Sequence, residues 1–193
     1  MAKFEIAYDI TMGHEGGYAN NFKDTGGETF GGVARNFNPN WKGWAIVDQI
    51  KKYTPRDNYD KVMFANVELM GLVRSLYKTN YWDVNKLDYV VNQAIANELF
   101  DTAINMGVGV ASRFLQRALN VTNKNQQLYP DVLIDGIVGP TTLSILNNHP
   151  NPQRLFKWLN IMQGARYLEI MEKAPAQEIF ADSWLSRVGL DKT

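Results

Sequence analysis

The chain has 193 residues, no cysteine, two histidines, and twenty basic side chains against twenty acidic ones. A hydrophobic share of 45% with 21% charged residues describes a globular chain and excludes disorder, collagen-like repeats and coiled coil. Zero net charge argues against nucleic acid as the partner, and zero cysteine removes disulfides, thiolate metal sites and cysteine nucleophiles together.

In chain order, Phe4, Ala7, Tyr8, Thr11 and Met12 fall on one face of a helix expected over residues 3–15, ended by Gly16-Gly17. Residues 18–33 are rich in Gly, Asn, Asp and Thr. They predict turns around one short β-hairpin, with Asp24-Thr25-Gly26-Gly27 at its bend. Helices are expected over 43–53 and 58–80, the second carrying Val62, Met63, Leu69, Met70, Val73, Leu76 and Tyr77, with Tyr81-Trp82-Asp83 as an aromatic connector. A helix over 90–106 is stopped by Gly107 and Gly109, and another covers 110–120. After a polar stretch at 121–131 and the segment LIDGIVGPTTLSIL at 133–146, Asn151-Pro152 opens a helix to about residue 173. A last helix spans about 176–188. The sum is a mainly α chain, a helical bundle with one small β-hairpin near the N-terminus. Its regions 1–90 and 91–193 are expected to pack as one compact unit.

Glu15 is the most informative residue. At the C-terminal end of its helix the macrodipole is negative, so a further negative charge is disfavoured and the carboxyl stays protonated to higher pH. A carboxylic acid held neutral near pH 7 is what general-acid cleavage of a glycosidic bond requires. Gly16 and Gly17 leave room beside it for a bulky substrate. Asp24, nine positions on in the polar hairpin, should stay solvated and ionised. One raised acid and one ordinary carboxylate facing a cleft is the pair that glycoside hydrolysis uses. Thr29, five positions after Asp24, carries a hydroxyl suited to orienting water, and Glu28 rivals Asp24 as the second carboxylate. Against all this stands the plain alternative of a solvated acid at a helix end with no role.

Other residues divide the same way. Asp101 and Asn105 share a helix face one turn apart, either lining a sugar cleft or bracing a neighbouring helix. Tyr18, Phe22, Phe30, Trp41, Trp44, Tyr81 and Trp82 load the N-terminal half with rings that stack on pyranose faces or simply fill the core. Gly107-Val108-Gly109 follows a helix and not a strand, which rules out a dinucleotide loop. His14 points about 100° away from Glu15 on the helix and is incidental. With histidine at only His14 and His149, no metal cage is expected.

Glu15-Gly16-Gly17-Tyr18 followed by Asp24-Thr25-Gly26-Gly27-Glu28-Thr29 strongly resembles the opening of glycoside hydrolase family 108, the N-acetylmuramidases of phage endolysins and bacteria. Further similarity runs through Tyr81-Trp82-Asp83, Phe100-Asp101-Thr102-Ala103-Ile104-Asn105-Met106-Gly107 and FLQRALN at 114–120. DGIVGPTTLSIL at 135–146 resembles the Asp-Gly-x-x-Gly-x-x-Thr signature of peptidoglycan-binding modules. Its alternative is structural, with Gly136 and Gly139 allowing tight bends and Thr141 or Thr142 capping the next helix. Ser183-Trp184-Leu185-Ser186-Arg187-Val188 fits the family's ending, with Ser183 where a glycine is usual.

The resemblance implies a lysozyme-like fold and hydrolysis of the β-1,4 bond between N-acetylmuramic acid and N-acetylglucosamine. Glu15 is then the catalytic acid, and Asp24 the base or electrostatic partner. Phage-type lysozymes carry Glu, Asp and Thr in a similar order, with the Asp-to-Thr step one residue longer, which bears on Thr29. Tyr18, Trp82, Asp101 and Asn105 are the expected substrate-binding residues. No cofactor is needed, because carboxylates carry the protons. The expected partner is the glycan strand of peptidoglycan, met by a monomer. A lytic transglycosylase and a non-catalytic wall-binding or secretion-associated module are the rivals. Glu5 and Asp9 interrupt any signal-peptide stretch, and no apolar run nears the ~18 residues of a membrane span. The expectation is a chain made in the cytoplasm that reaches the cell wall after a separate release step.

Overall fold

Gly31 and Gly32 adopt φ of +52° and +74°, the left-handed values that a two-residue hairpin loop requires at both central positions. The computed structural model describes residues 1–12, 16–21 and 25–189. In it that loop adds a second hairpin to the expected one. The result is a three-stranded antiparallel sheet of β1 (Ala19–Asn20), β2 (Glu28–Phe30) and β3 (Val33–Ala34), in that order. Thr29 at the centre of β2 pairs with Ala19 on one side and Ala34 on the other.

The fold divides into two compact units, one of Tyr8–Asn80 and one of Met1–Ala7 with Tyr81–Thr193. This division falls between Asn80 and Tyr81, whereas the sequence suggested regions of 1–90 and 91–193. Trp82 is the reason. It is fully buried, packed edge-on against Phe4 at 5.7 Å and Phe100 at 5.8 Å, and its indole N–H donates to Asp88 at 2.7 Å. Those contacts hold the connector in the second unit.

In the unit Tyr8–Asn80, the sheet is accompanied by α2 (Gly43–Tyr53), α3 (Tyr59–Ala65) and α4 (Val67–Tyr77). Phe30, Val33, Val47, Met63, Leu69 and Val73 form the core. The single helix expected over 58–80 is broken at Asn66, whose backbone is extended (φ −80°, ψ 103°) while its side chain accepts the Leu69 N–H. Such an N-cap restarts the helix at low cost because it satisfies an orphan donor. A π-helical turn, Lys78–Asp83, follows α4.

In the other unit, α1 (Phe4–Met12) contributes its first turn, and α5 (Gln93–Met106), α6 (Val108–Thr122), α7 (Pro140–Asn147), α8 (Pro152–Lys173) and α9 (Ala181–Leu185) make up the bulk. Gly107 stops α5 at φ +96°. Gly109 does not act as a stop, since it lies in the first turn of α6. Asn151 caps α8 as expected, accepting the Arg154 N–H at 2.8 Å. Gly139, with no side-chain cap, and Pro140 begin α7, so neither Thr141 nor Thr142 is the cap. The expected terminal helix is a 3₁₀ stretch, Pro175–Phe180, followed by the short α9.

Candidate active site

Glu15 and Asp24 lie outside the described residues. The backbone immediately after Glu15 is described, and it is held from several sides. The Tyr18 N–H donates to the Asp60 carboxylate of α3 at 2.6 Å. That carboxylate lies so close to Gly17 that a Cβ there would overlap it. A side chain at the second glycine of the motif would displace the Asp60 carboxylate from this position. The Tyr18 ring meets the Tyr59 ring edge-on at 5.3 Å, lies under the Lys51 ammonium at 5.6 Å, and sends its hydroxyl to Glu28 at 2.6 Å. Tyr18 is half-buried and serves the scaffold of its own motif.

Glu28 is the hub of this cluster. Its carboxylate, 11% exposed, accepts Tyr18, forms an ion pair with Arg35 Nε at 2.7 Å, and pairs with Lys51. Arg35 continues the network to Asp48 through two bonds of 3.1 and 2.7 Å and stacks over Trp44 at 4.4 Å. Asp48 is held below the usual carboxylate range, first by its hydrogen bond from Arg35. Burial opposes the charge on Lys51, but its bonds to Glu28 and Tyr18 outweigh that and raise its pKa. Burial and then the bond to Glu28 raise the Tyr18 phenol. The Glu28 carboxylate is thus engaged by two cations and a phenol.

Thr29 stands half-buried on β2, with its hydroxyl 3.5 Å from the Gly27 carbonyl. The remaining expected sugar contacts, Trp82, Asp101 and Asn105, lie in the other unit. Trp82 has no exposed surface to offer a sugar ring. Asp101 braces helices, its two oxygens accepting Gln163 of α8 and Arg187, each at 2.8 Å. Asn105 is exposed on α5 but donates back to the Asp101 carbonyl at 2.8 Å. Asp60, Lys51 and Arg35 were not legible as part of the site. Asp60 acts on Tyr18 across forty-two positions, and no local spacing encodes such a contact. Among the described residues no group of three or more His, Asp or Glu side chains could hold a metal ion.

The sequence profile described as Glycosyl hydrolase 108 matches residues 8–107, more than half of the chain. The chain belongs to glycosyl hydrolase family 108. A second profile, described as a predicted peptidoglycan domain, matches residues 110–189 of this family 108 chain. No curated protein matches it. Among solved structures, that of Brucella abortus SagA aligns with a TM-score of 0.60 at 22% identity, covering 96% of this chain and 89% of that one. That likeness is one of fold, mainly α and lysozyme-like. As a family 108 member with a peptidoglycan domain, the chain is a glycoside hydrolase of peptidoglycan, an N-acetylmuramidase.

Proposed function

We propose that Glu15 protonates the leaving glycosidic oxygen and that Asp24 acts opposite it, as base for the attacking water or as electrostatic support, with Thr29 orienting that water. One observation carries the reading. The two residues that follow Gly16 are pinned by Asp60 and by the Glu28 cluster, although neither group is needed to fill a core. A fixed backbone directly after an acid is what near-attack positioning demands. The engagement of Glu28 by Arg35, Lys51 and Tyr18 supports Asp24 as the second carboxylate, because it leaves Glu28 committed elsewhere. All three proposed residues fall within residues 15–29 of one chain, and the reading takes the working form to be a monomer.

The test is mass spectrometry of fragments released from purified peptidoglycan, run beside Glu15→Gln and Asp24→Asn. Reducing muramic ends are expected from the parent chain. Loss of a general acid should slow release by roughly 10²–10⁴. A Glu15→Gln chain that releases fragments at the parent rate overturns the assignment of the acid. Release of 1,6-anhydro ends replaces hydrolysis by internal closure of the sugar. Light scattering that reports twice the mass of one chain overturns the monomer.

A further inference from the structure

The chain is neutral as a whole, yet one of its grooves is basic. A groove of about 370 Å³ runs between α6 and α8, with Phe114 and Met162 on its floor and Arg113, Arg117 and Arg166 among its walls. Its one carboxylate, Glu169, is already spent, accepting Arg166 at 2.6 Å and pairing with Lys173. Arg113 and Arg117, one turn apart on α6, have no hydrogen-bond or ion-pair partner among the described residues. Two exposed guanidinium groups over an apolar floor, left without an internal counter-charge, make a site for an anion that also has apolar surface to bury.

The Asp-Gly signature packs beside Arg113, one of the residues that line this groove. Gln116, buried on α6 between the two arginines, donates to Asp135 at 2.7 Å and to the Ile137 carbonyl at 3.0 Å, and accepts the Gly136 N–H at 2.9 Å. Asp135 also accepts the Ile137 N–H at 2.8 Å, so its charge is used within the turn. Gly136 takes φ +81°, and a Cβ there would overlap the Arg113 guanidinium. The signature thus brings backbone, and no side chain, up against Arg113.

We propose that this groove binds the peptide stems of peptidoglycan, with Arg113 and Arg117 gripping their free carboxylates. The proposal rests on the reading of the chain as a peptidoglycan hydrolase, and the peptidoglycan-domain profile spans every residue of the groove. Charge decides between the two parts of the polymer. Its N-acetyl sugars are neutral and the lactyl acid of muramic acid is closed as an amide, so the ionised carboxylates sit on the peptides. Guanidinium forks match carboxylates bidentately, and the small side chains of a stem fit the apolar floor.

The experiment is calorimetric titration of the full chain carrying Glu15→Gln, so that cleavage does not intrude. The probes are a soluble free-acid stem tetrapeptide, the same peptide with its carboxylates amidated, and inorganic phosphate. The free acid is expected to bind, and the amidated peptide to bind roughly tenfold more weakly or worse. Arg113→Ala with Arg117→Ala should bring the free acid down to the amidated level. Equal affinity for acid and amide overturns the proposal, as does equal binding by the double variant. Phosphate that displaces the peptide at matched concentration also overturns it, by marking a generic anion site. The acid–amide comparison uses the unaltered groove, so misfolding of a variant cannot imitate its result. If stem binding persists while the parent chain releases no muramic ends from the wall, the hydrolase reading fails and the groove stands.

Discussion

Glu28 and Asp24 are four positions apart in a motif, and their substitution should separate two different kinds of damage. Glu28→Gln strips the counter-charge from Arg35 and Lys51. Breaking such a largely buried pair is expected to cost about 3 kcal/mol of stability. Asp24→Asn should leave the urea midpoint in place and remove turnover. Equal melting of Glu28→Gln and the parent would show that the cluster does not hold the fold. On the proposed reading of Glu15, Asp60 acts as a positioning residue through its hydrogen bond from Tyr18. Asp60→Ala, at an exposed position, should lower kcat by roughly tenfold to a hundredfold with little change in KM. Asp60→Asn should restore most of the rate, since the amide oxygen still accepts the Tyr18 N–H. A rise in KM alone would mean that Asp60 supports substrate binding instead.

At the scale of elements, legibility followed the strength of local signals. The limits of α2 and the start of α8 could be read because Asn151-Pro152 and the apolar period act within one turn. The break at Asn66 could not, since Val62 to Val73 keeps helical spacing across it and only the side-chain cap reveals the restart. The second hairpin was hidden because a bare Gly-Gly pair reads as any turn until its φ values are known. The motif suggested two carboxylates, Glu15 and Asp24, that lie outside the described residues, whereas Asp60 and Lys51, which hold the backbone and ring of Tyr18, come from helices farther along the chain. Trp82 misled in another way, because an aromatic next to polar residues looks available when its burial depends on Phe4 and Phe100. Trp82→Ala should therefore cost about 3–5 kcal/mol in denaturant unfolding. Glycan affinity of the folded fraction should not move. Gly107→Ala, forced to φ +96°, should cost more than about 1 kcal/mol.

For the molecule as a whole, pH acts through a histidine outside the proposed chemistry. His149 is buried, accepts the Asn151 N–H at Nδ1 (3.1 Å) and therefore presents Nε2–H to the Thr122 hydroxyl at 3.0 Å. Burial lowers its pKa below the ordinary value of 6.5. The unfolded chain thus takes up a proton before the folded one does. Stability is complete above about pH 6.5 and falls as the pH drops toward the folded-state value. The depressed carboxylates Asp48 and Asp135 add a separate loss only below about pH 4. Melting temperature should accordingly decline between pH 7.5 and pH 5.5, and His149→Gln should flatten that decline. An unchanged slope in the variant would assign the effect to other groups.

The grouping of Met1–Ala7 with residues 81–193 has a consequence for synthesis on the ribosome. Phe4 emerges well before Trp82 and Phe100, the rings that pack against it. The unit that follows Phe4 can fold as it leaves the exit tunnel, since domains form vectorially from the N-terminal side. Phe4 must wait, an unburied aromatic on a growing chain and a natural foothold for a chaperone. In stalled nascent chains ending at residue 80, a cysteine placed at Phe4 should react freely with a maleimide. The same cysteine should become protected only once the stall point lies beyond Phe100 and that segment has cleared the tunnel.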